Sequence, residues 1–315
     1  MGWADIVDIR GWQAAQPETR GRRTKQWMLD DEGNPWLAKL PRGIEKPSPR
    51  STEPLVEAFT LHLAELLGLR IAHGRMATWE ATLDSGENKA VTAFISRCFT
   101  TDECLLIPGD SLLSLNDREY SKLRREAKAA EVALAELGIR KNPKERQLRA
   151  RATLQRALTV FRDREFNLAD EFVQHLIFDA WIGNGDRHPQ NWGVLMHFTQ
   201  NRVELAPMFD TAGCLGAELG DAHLSMSDAK LGAYIERCRS GFGDGNSDTG
   251  VAMHALLVEL SQTAEYQLTA SELKSRIRSL IPQLPEFLAV DSPLLTEQRR
   301  QFMISVLTKR VTLLA

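Results

Sequence analysis

The spacing of apolar and polar residues predicts strands and turns in the first third of the chain and helices in most of the remainder. The segments KQWML and PWLAKL flank DDEGN, where Gly33 and Asn34 suit a hairpin turn. Residues 51–68 repeat apolar side chains at helical spacing, have Pro54 in the first turn and end at Gly68. A further strand is predicted in KAVTAFISRCF, and helical patterns dominate from Leu112 onward.

Two later segments carry the strongest periodic signals. NLADEFVQHLIFDAWIG predicts an amphipathic helix with Asn167 as its cap. After a polar loop, WGVLMHF and RVELAPMF alternate as two strands joined by TQN. Antiparallel strands joined by a short turn bring their outer ends together. We therefore expect Asn191, just before the first strand, to lie beside Asp210, just after the second.

Composition narrows the class of protein. A chain of 315 residues is long enough for two lobes, and its net charge of −3 gives no general attraction to nucleic acid or to an anionic membrane. Arginine, lysine and glutamate alternate over residues 116–165, which favours a solvated helical face over a nucleic-acid surface. The start lacks a signal-peptide pattern, and no apolar run approaches the roughly 20 residues of a membrane span. The sequence predicts a cytoplasmic protein.

The loop GNGDRHPQN concentrates chemically active side chains within a few residues. Asn191 and Asp210 supply oxygen atoms of the kind that Mg²⁺ binds, with phosphates and water completing its coordination. Asp186 then remains to accept a proton from an attacking hydroxyl, as in phosphoryl transfer. Arg187 and His188 are candidates for stabilising charge on the transferred group. The alternative is a tight turn in which Asp186 and Arg187 only cap and pair.

A phosphotransferase also needs a cation on the nucleotide, and Lys39 is the candidate. It lies late in the predicted strand PWLAKL and shares a strand face with Leu37, which is unusual for a lysine that has no partner. Glu57, in the first turns of the following helix, is the predicted partner. Such an ion pair would direct Lys39 toward the α- and β-phosphates. The alternative is an exposed lysine on an edge strand.

Taken together, WLAKLP, EAFTLHLAELLGL, FDAWIGNGDRHPQNWGVL and LAPMFDTAG resemble the HipA-like serine/threonine kinases, from about Gly21 to the C-terminal helices. The resemblance implies an α+β, two-lobed protein-kinase-like fold, with a small β-rich N-lobe (residues 1–106) and a larger, mainly helical C-lobe (residues 107–315). It implies ATP and Mg²⁺ as cofactors and a protein serine or threonine as acceptor. Asp186 takes the role of base, Asn191 and Asp210 bind the metal, and Lys39 binds the phosphates.

The segment GRRTK matches the nucleotide loop of that family, although it lacks a G-x-G-x-x-G pattern. The resemblance therefore assigns Gly21, Arg23, Thr24 and Lys25 to nucleotide binding, with Thr24 as an autophosphorylation site. The family includes toxin kinases of bacterial toxin–antitoxin pairs, which implies an antitoxin as a partner. One departure is that Thr-Ala-Gly, not Phe-Gly, follows Asp210.

Three other functions fit parts of the pattern. Phosphoinositide kinases share the D-R-H-x-x-N loop, but an anionic headgroup favours basic residues after the metal-binding Asp, and here no Lys or Arg follows until Lys230. Aminoglycoside-type small-molecule kinases have a similar G-D-x-H-P-x-N run, preceded by His where this chain has Asn184. A pseudokinase would bind nucleotide without transferring phosphate.

Overall fold

A computed structural model describes residues 2–18, 24–41, 49–82, 86–136, 142–162, 167–246 and 249–314. The strands are β1 (Ile6–Asp8), β2 (Gln13–Glu18), β3 (Lys25–Leu29), β4 (Pro35–Lys39), β5 (Gly74–Thr82), β6 (Asn88–Arg97), β7 (Cys104–Pro108), β8 (Gly193–His197) and β9 (Arg202–Leu205). The helices are α1 (Glu53–Leu66), α2 (Gly109–Asn116), α3 (Arg118–Glu136), α4 (Pro143–Arg151), α5 (Leu154–Phe161), α6 (Ala169–Ile182), α7 (Asp228–Glu236), α8 (Met253–Gln262), α9 (Gln267–Leu280), α10 (Leu284–Phe287) and α11 (Glu297–Arg310).

The N-terminal lobe is built on a mixed sheet with the strand order β1-β5-β6-β4-β3-β2. Only the β1–β5 pair is parallel among the strand pairs described in this sheet. The predicted β3–β4 hairpin is confirmed, with Gly33 in the left-handed region at φ 79°. Because β4 lies between β3 and β6, its Lys39 is on a central strand and not on an edge.

A second sheet has the strand order β7-β8-β9. Helix α2 directly follows β7, and β8 and β9 follow α6. The predicted β8–β9 hairpin is confirmed as an antiparallel pair in which Val194 is opposite Leu205. The predicted boundary between residues 106 and 107 falls within β7, which pairs with β8, and it stays a prediction. In the part of the chain that the structure describes, no helix is long and apolar enough to cross a membrane.

Two helices are buried on nearly every side. Helix α1 packs against β5 and β6, and even its Glu53, Glu57 and Thr60 are buried. Helix α6 runs through the large core of the C-terminal region and buries His175 and Asp179 among apolar side chains. The predicted cap of α6 was wrong, because Leu168 occupies the N-cap position and Asn167, one residue earlier, is left-handed at φ 47°.

The buried carboxylate of Asp179 is paired with Arg187, eight residues later. Arg187 Nε lies 2.7 Å from Asp179 Oδ2, and Arg187 Nη2 lies 2.9 Å from Asp179 Oδ1, which makes a bidentate pair. Burial disfavours the charge of Arg187, but Asp179, with Asp210 and Asp186, outweighs burial and raises the pKa of the guanidinium. The Asp179–Arg187 ion pair therefore holds the loop after α6 against the helix.

Replacing Asp179 by alanine should lower the free energy of unfolding by about 3–5 kcal/mol, because it leaves a buried guanidinium without its counter-charge. Urea unfolding at neutral pH measures the change. The control is Glu145→Ala, which breaks the exposed Arg149–Glu145 pair on α4 and should cost about 0–1 kcal/mol. Similar losses in both variants would contradict a structural role for the buried pair.

His175 should make the fold sensitive to acid. Burial, helped by the positive charges of Arg187 and Arg70, lowers the pKa of His175 from 6.5 to about 3. Between those two pH values the unfolded chain binds the proton and the folded chain does not, so stability falls as the pH decreases. When the pH is lowered from about 7.5 to about 5, the free energy of unfolding of the wild type should fall by about 2 kcal/mol more than that of a His175→Gln variant.

Urea unfolding at both pH values tests this expectation. The His254→Gln variant removes an exposed histidine from α8 and serves as the matched control. Equal losses in the wild type and in His175→Gln would show that His175 does not couple folding to protonation.

Candidate active site

The loop after α6 begins with a glycine that no other residue could replace without strain. Gly183 ends the helix in the left-handed region at φ 77°, and a Cβ there would lie 2.4 Å from Arg310 Nη2. The backbone N–H groups of Gly183 and Asn184 both donate to the Asp179 carbonyl at 2.8 Å. Asn184 also donates from Nδ2 to Asp179 Oδ1 at 2.8 Å. The chain therefore leaves the helix in one fixed direction.

Asp186 is the exposed carboxylate of this loop. Its side chain is 54% exposed, while its backbone N–H donates to Asn184 Oδ1 at 3.2 Å. His188 Nε2 lies 3.7 Å from Asp186 Oδ1. Burial lowers the pKa of His188, and the carboxylates of Asp186 and Asp210 oppose that shift. The structure thus presents a carboxylate at the surface, with its backbone fixed and an imidazole beside it.

Asn191 is held by the same loop. Its Nδ2 donates to the Asp186 carbonyl at 2.8 Å, and its backbone N–H donates to the His188 carbonyl at 2.8 Å. An amide that donates through its nitrogen keeps its side-chain oxygen as an acceptor. That oxygen is the atom of Asn191 suited to a metal ion.

Arg187 points into the protein. Its side chain is 2% exposed, and besides the pair with Asp179 its Nη1 donates to the carbonyls of Asn191 and Phe209 at 2.7 and 2.9 Å. The guanidinium therefore joins α6, the loop and the residue before Asp210. This geometry favours support of the loop over the predicted contact of Arg187 with a phosphoryl group.

Lys39 lies between two carboxylates. Its Nζ is 2.8 Å from Glu57 Oε1 and 3.4 Å from Asp210 Oδ1, and it lies 5.5 Å from the centre of the Phe94 ring. Lys39 is 5% exposed and Glu57 is buried. The structure therefore contains the ion pair predicted from sequence and excludes the alternative of an exposed edge-strand lysine.

Asp210 follows the β8–β9 hairpin and contacts Lys39 through its carboxylate. It adopts a left-handed backbone at φ 57°, which is uncommon for a residue other than glycine. The preceding residue, Phe209, is bonded to Arg187, and a Cβ at Gly213 would lie 3.8 Å from the Cβ of Asp186. The segment 209–213 thus runs beside the loop that carries Asp186 and Asn191.

The predicted nucleotide loop lies partly outside the described residues, and Gly21 and Arg23 are among those not described. Thr24 is exposed, and its carbonyl accepts a hydrogen bond from the Leu40 N–H at 3.1 Å. Lys25 begins β3 directly opposite Lys39 in the register of the sheet. The chain therefore enters β3 next to the end of the strand that carries Lys39.

The residues present suit a magnesium ion that is held largely by phosphates. Within the described ranges, no group of three or more His, Cys, Asp and Glu side chains could hold a metal ion by itself. Mg²⁺ in nucleotide sites needs only one or two protein ligands, with phosphate oxygens and water completing the octahedron. The Asp210 carboxylate and the Asn191 side-chain oxygen are a donor set of that kind.

Three residues of the site were missed by sequence reasoning. Asp179 fastens the loop, and the fully buried hydroxyls of Thr60 and Thr211 lie 2.6 Å apart between α1 and the segment after Asp210. A carboxylate within an apolar helix, eight residues before an arginine, was a signal for the first. For the two threonines the sequence offered no signal, because residues 151 positions apart meet only in the folded chain.

A comparison with one solved structure shows the fold. The crystal structure of a Helicobacter pylori proinflammatory kinase, CtkA, matches with a TM-score of 0.74 and 17% sequence identity, over 98% of this chain and 96% of that one. The golgi casein kinase matches with a TM-score of 0.40 and 13% identity, over 99% of this chain and 74% of that one. The sequence has no match among curated proteins.

The family model of the HipA-like C-terminal domain matches residues 18–264, which is well over half of the chain. That span contains Lys39, Glu57, the loop with Asp186 and Asn191, and Asp210. The family and the fold together support a kinase-type function. The chain belongs to the HipA-like C-terminal domain family, and its fold is that of a kinase.

Proposed function

We propose that this protein is a Mg-ATP-dependent protein serine/threonine kinase. The observation that carries the proposal is the position of Lys39, between Glu57 at 2.8 Å and Asp210 at 3.4 Å. A buried lysine joined to a helix glutamate and to a candidate metal ligand is the arrangement by which kinases hold the phosphates of ATP.

The other side chains of the site then have the following roles in phosphoryl transfer. The acceptor hydroxyl oxygen attacks the γ-phosphorus, the new O–P bond forms, and the bond from the γ-phosphorus to the β–γ bridging oxygen breaks. The proton of the hydroxyl passes to the Asp186 carboxylate, and ADP leaves. Asn191 and Asp210 would hold Mg²⁺, which neutralises charge on the phosphates when it is bound. His188, whose Nε2 lies 3.7 Å from Asp186 Oδ1, would donate a hydrogen bond to the transferred group.

Arg187 supports transfer indirectly in this proposal. By bonding to the carbonyls of Asn191 and Phe209, it sets the distance between the loop that carries the base and the segment that carries the metal ligand. Positioning of this kind accounts for a large part of catalysis in phosphoryl transfer, where the protein contributes little covalent chemistry.

An apolar cluster beside the site offers a surface for the adenine ring. Cys104, Leu195 and Ala206 form its buried part, and Phe99 packs against it. The Phe99 ring also lies 5.7 Å, centre to centre, from that of Phe209, next to Asp210. Phe99 therefore connects this cluster to the segment that carries Asp210, which supports the cluster as the adenine-binding surface.

We expect Asp186→Ala to lower the rate of phosphoryl transfer by about 10²-fold or more, since it removes the proton acceptor. Because the side chain is 54% exposed, the melting temperature should stay close to that of the wild type. Asp210→Ala should also abolish transfer, by removing a metal ligand. The assay is incubation of each purified protein with Mg²⁺ and γ-labelled ATP, with and without a cell extract.

The control is Asp291→Ala, which removes an exposed carboxylate between α10 and α11 and should leave the label unchanged. Label on the protein itself or on an extract protein, absent from both site variants, supports the proposal and supplies the substrate. Label confined to lipid or small molecules would move the assignment to one of those kinase classes. Nucleotide binding without any label would indicate a pseudokinase.

A further inference from the structure

Two buried hydroxyl groups join α1 to the segment that carries Asp210. Thr60 and Thr211 have no exposed surface, and their Oγ1 atoms lie 2.6 Å apart. Buried hydroxyls are costly unless they are hydrogen-bonded, so the pair constrains both elements. Neither residue faces solvent or belongs to the groups assigned to ATP, metal or proton transfer.

The direction of this hydrogen bond follows from the neighbours of Thr60. Its Oγ1 lies 2.9 Å from the Val56 carbonyl and 3.1 Å from the Glu57 carbonyl, both of which only accept. Both hydroxyl protons have an acceptor when Thr60 donates to a carbonyl within α1 and Thr211 donates to Thr60 Oγ1. We therefore assign Thr211 as the donor of the bond between the two side chains.

The Thr60–Thr211 hydrogen bond connects the same two elements as the ionic contacts of Lys39, namely α1 and the segment that carries Asp210. Glu57 lies one turn before Thr60 on α1 and reaches Asp210 through Lys39, whereas Thr211 directly follows Asp210. The Thr211 carbonyl is also held, since it accepts a hydrogen bond from Cys214 Sγ at 3.1 Å. With Asp210 in a left-handed conformation, the direction of its carboxylate depends on how the next residue is anchored.

We propose that Thr60 and Thr211 are positioning residues, which hold the Asp210 carboxylate where it can bind Mg²⁺ with the nucleotide. This inference rests on the proposed function, because it concerns the same metal ligand. It adds that α1 sets the position of Asp210 through a neutral contact as well as through the Glu57–Lys39 ion pair.

The effect of Thr211→Val should appear in metal binding more than in stability. Valine has nearly the shape of threonine, and Thr60 keeps its hydrogen bond to Val56, so no buried hydroxyl is left without a partner. The Mg²⁺ concentration at half-maximal binding of a fluorescent ATP analogue should rise on the order of three- to tenfold, as expected for the loss of one hydrogen bond. In the kinase assay KM for Mg-ATP should rise more than kcat falls.

Thr60→Val should behave differently, because it leaves the Thr211 hydroxyl buried without an acceptor. Its melting temperature should therefore fall further than that of Thr211→Val, and Thr60→Val/Thr211→Val should recover part of the loss. A pair with only a packing role would not produce this asymmetry.

Titration of the binding of the ATP analogue with Mg²⁺ is the deciding experiment, since it needs no turnover. Thr211→Ser and Thr211→Ala both lose the γ-methyl group and differ only in the hydroxyl, so they keep the test sharp if the valine variant folds poorly. Serine should retain the wild-type Mg²⁺ midpoint, and alanine should not. The control is Thr159→Val on α5, an exposed threonine that bonds to the Gln155 carbonyl in the same way as Thr60 bonds to Val56.

Equal Mg²⁺ midpoints for Thr211→Ser, Thr211→Ala and wild type would overturn the positioning role while leaving the kinase assignment intact. Failure of the wild type itself to bind the analogue in a Mg²⁺-dependent way would instead count against the proposed function. Midpoints that shift in the alanine variant alone support the inference.

Discussion

The buried ion pair between Asp179 and Arg187 is the interaction on which the geometry of the site depends. Both groups lie out of water, where an unpaired charge would be strongly destabilising, so each holds the other in place. Because Arg187 also bonds to the carbonyls of Asn191 and Phe209, the same guanidinium sets three pieces of backbone against one another. Asp186 lies directly before Arg187, so the same contacts fix its backbone while its side chain remains exposed.

The N-terminal lobe also holds its part of the site by pairing a buried carboxylate with a basic residue. Helix α1 is surrounded by the sheet and the core, so Glu57 is buried and needs a cation. Lys39 supplies it from the central strand β4 and reaches onward to Asp210. Two buried helices, α1 and α6, thus each carry a carboxylate whose required partner is a basic residue of the site. The rigidity of the site follows from the cost of leaving those carboxylates unpaired.

The sequence predicted the parts of this arrangement that local patterns determine. Alternating residues revealed the β8–β9 hairpin. Arg187 Nη1 bonds to the carbonyl of Asn191 before that hairpin and to the carbonyl of Phe209 after it, while the approach of the Asn191 and Asp210 side chains stays a prediction. The unusual position of Lys39 on an apolar strand indicated a buried partner, and Glu57 is in contact with it. These inferences succeeded because strand periodicity and the cost of a buried charge act within short segments.

The rest depended on tertiary packing. Helical periodicity indicated an apolar stripe on α1 and α6, but both helices are buried almost all round, which no local pattern requires. Arg187 was therefore interpreted as a residue facing the substrate, whereas its guanidinium points toward Asp179 within the core. The Thr60–Thr211 contact joins positions 151 residues apart, and threonine is common in both environments, so only the folded chain identifies it.

The unequal contacts of Lys39 explain how one site can be both firmly built and able to bind a ligand. The 2.8 Å bond to the buried Glu57 is short, and neither group can leave it without a large desolvation cost. The contact with Asp210 is longer, at 3.4 Å, and Asp210 is partly exposed. A phosphate entering the site would compete with this weaker contact for Lys39. The Asp210 carboxylate would then be released from the lysine toward a cation, while the Lys39–Glu57 pair and the fold around it stay in place.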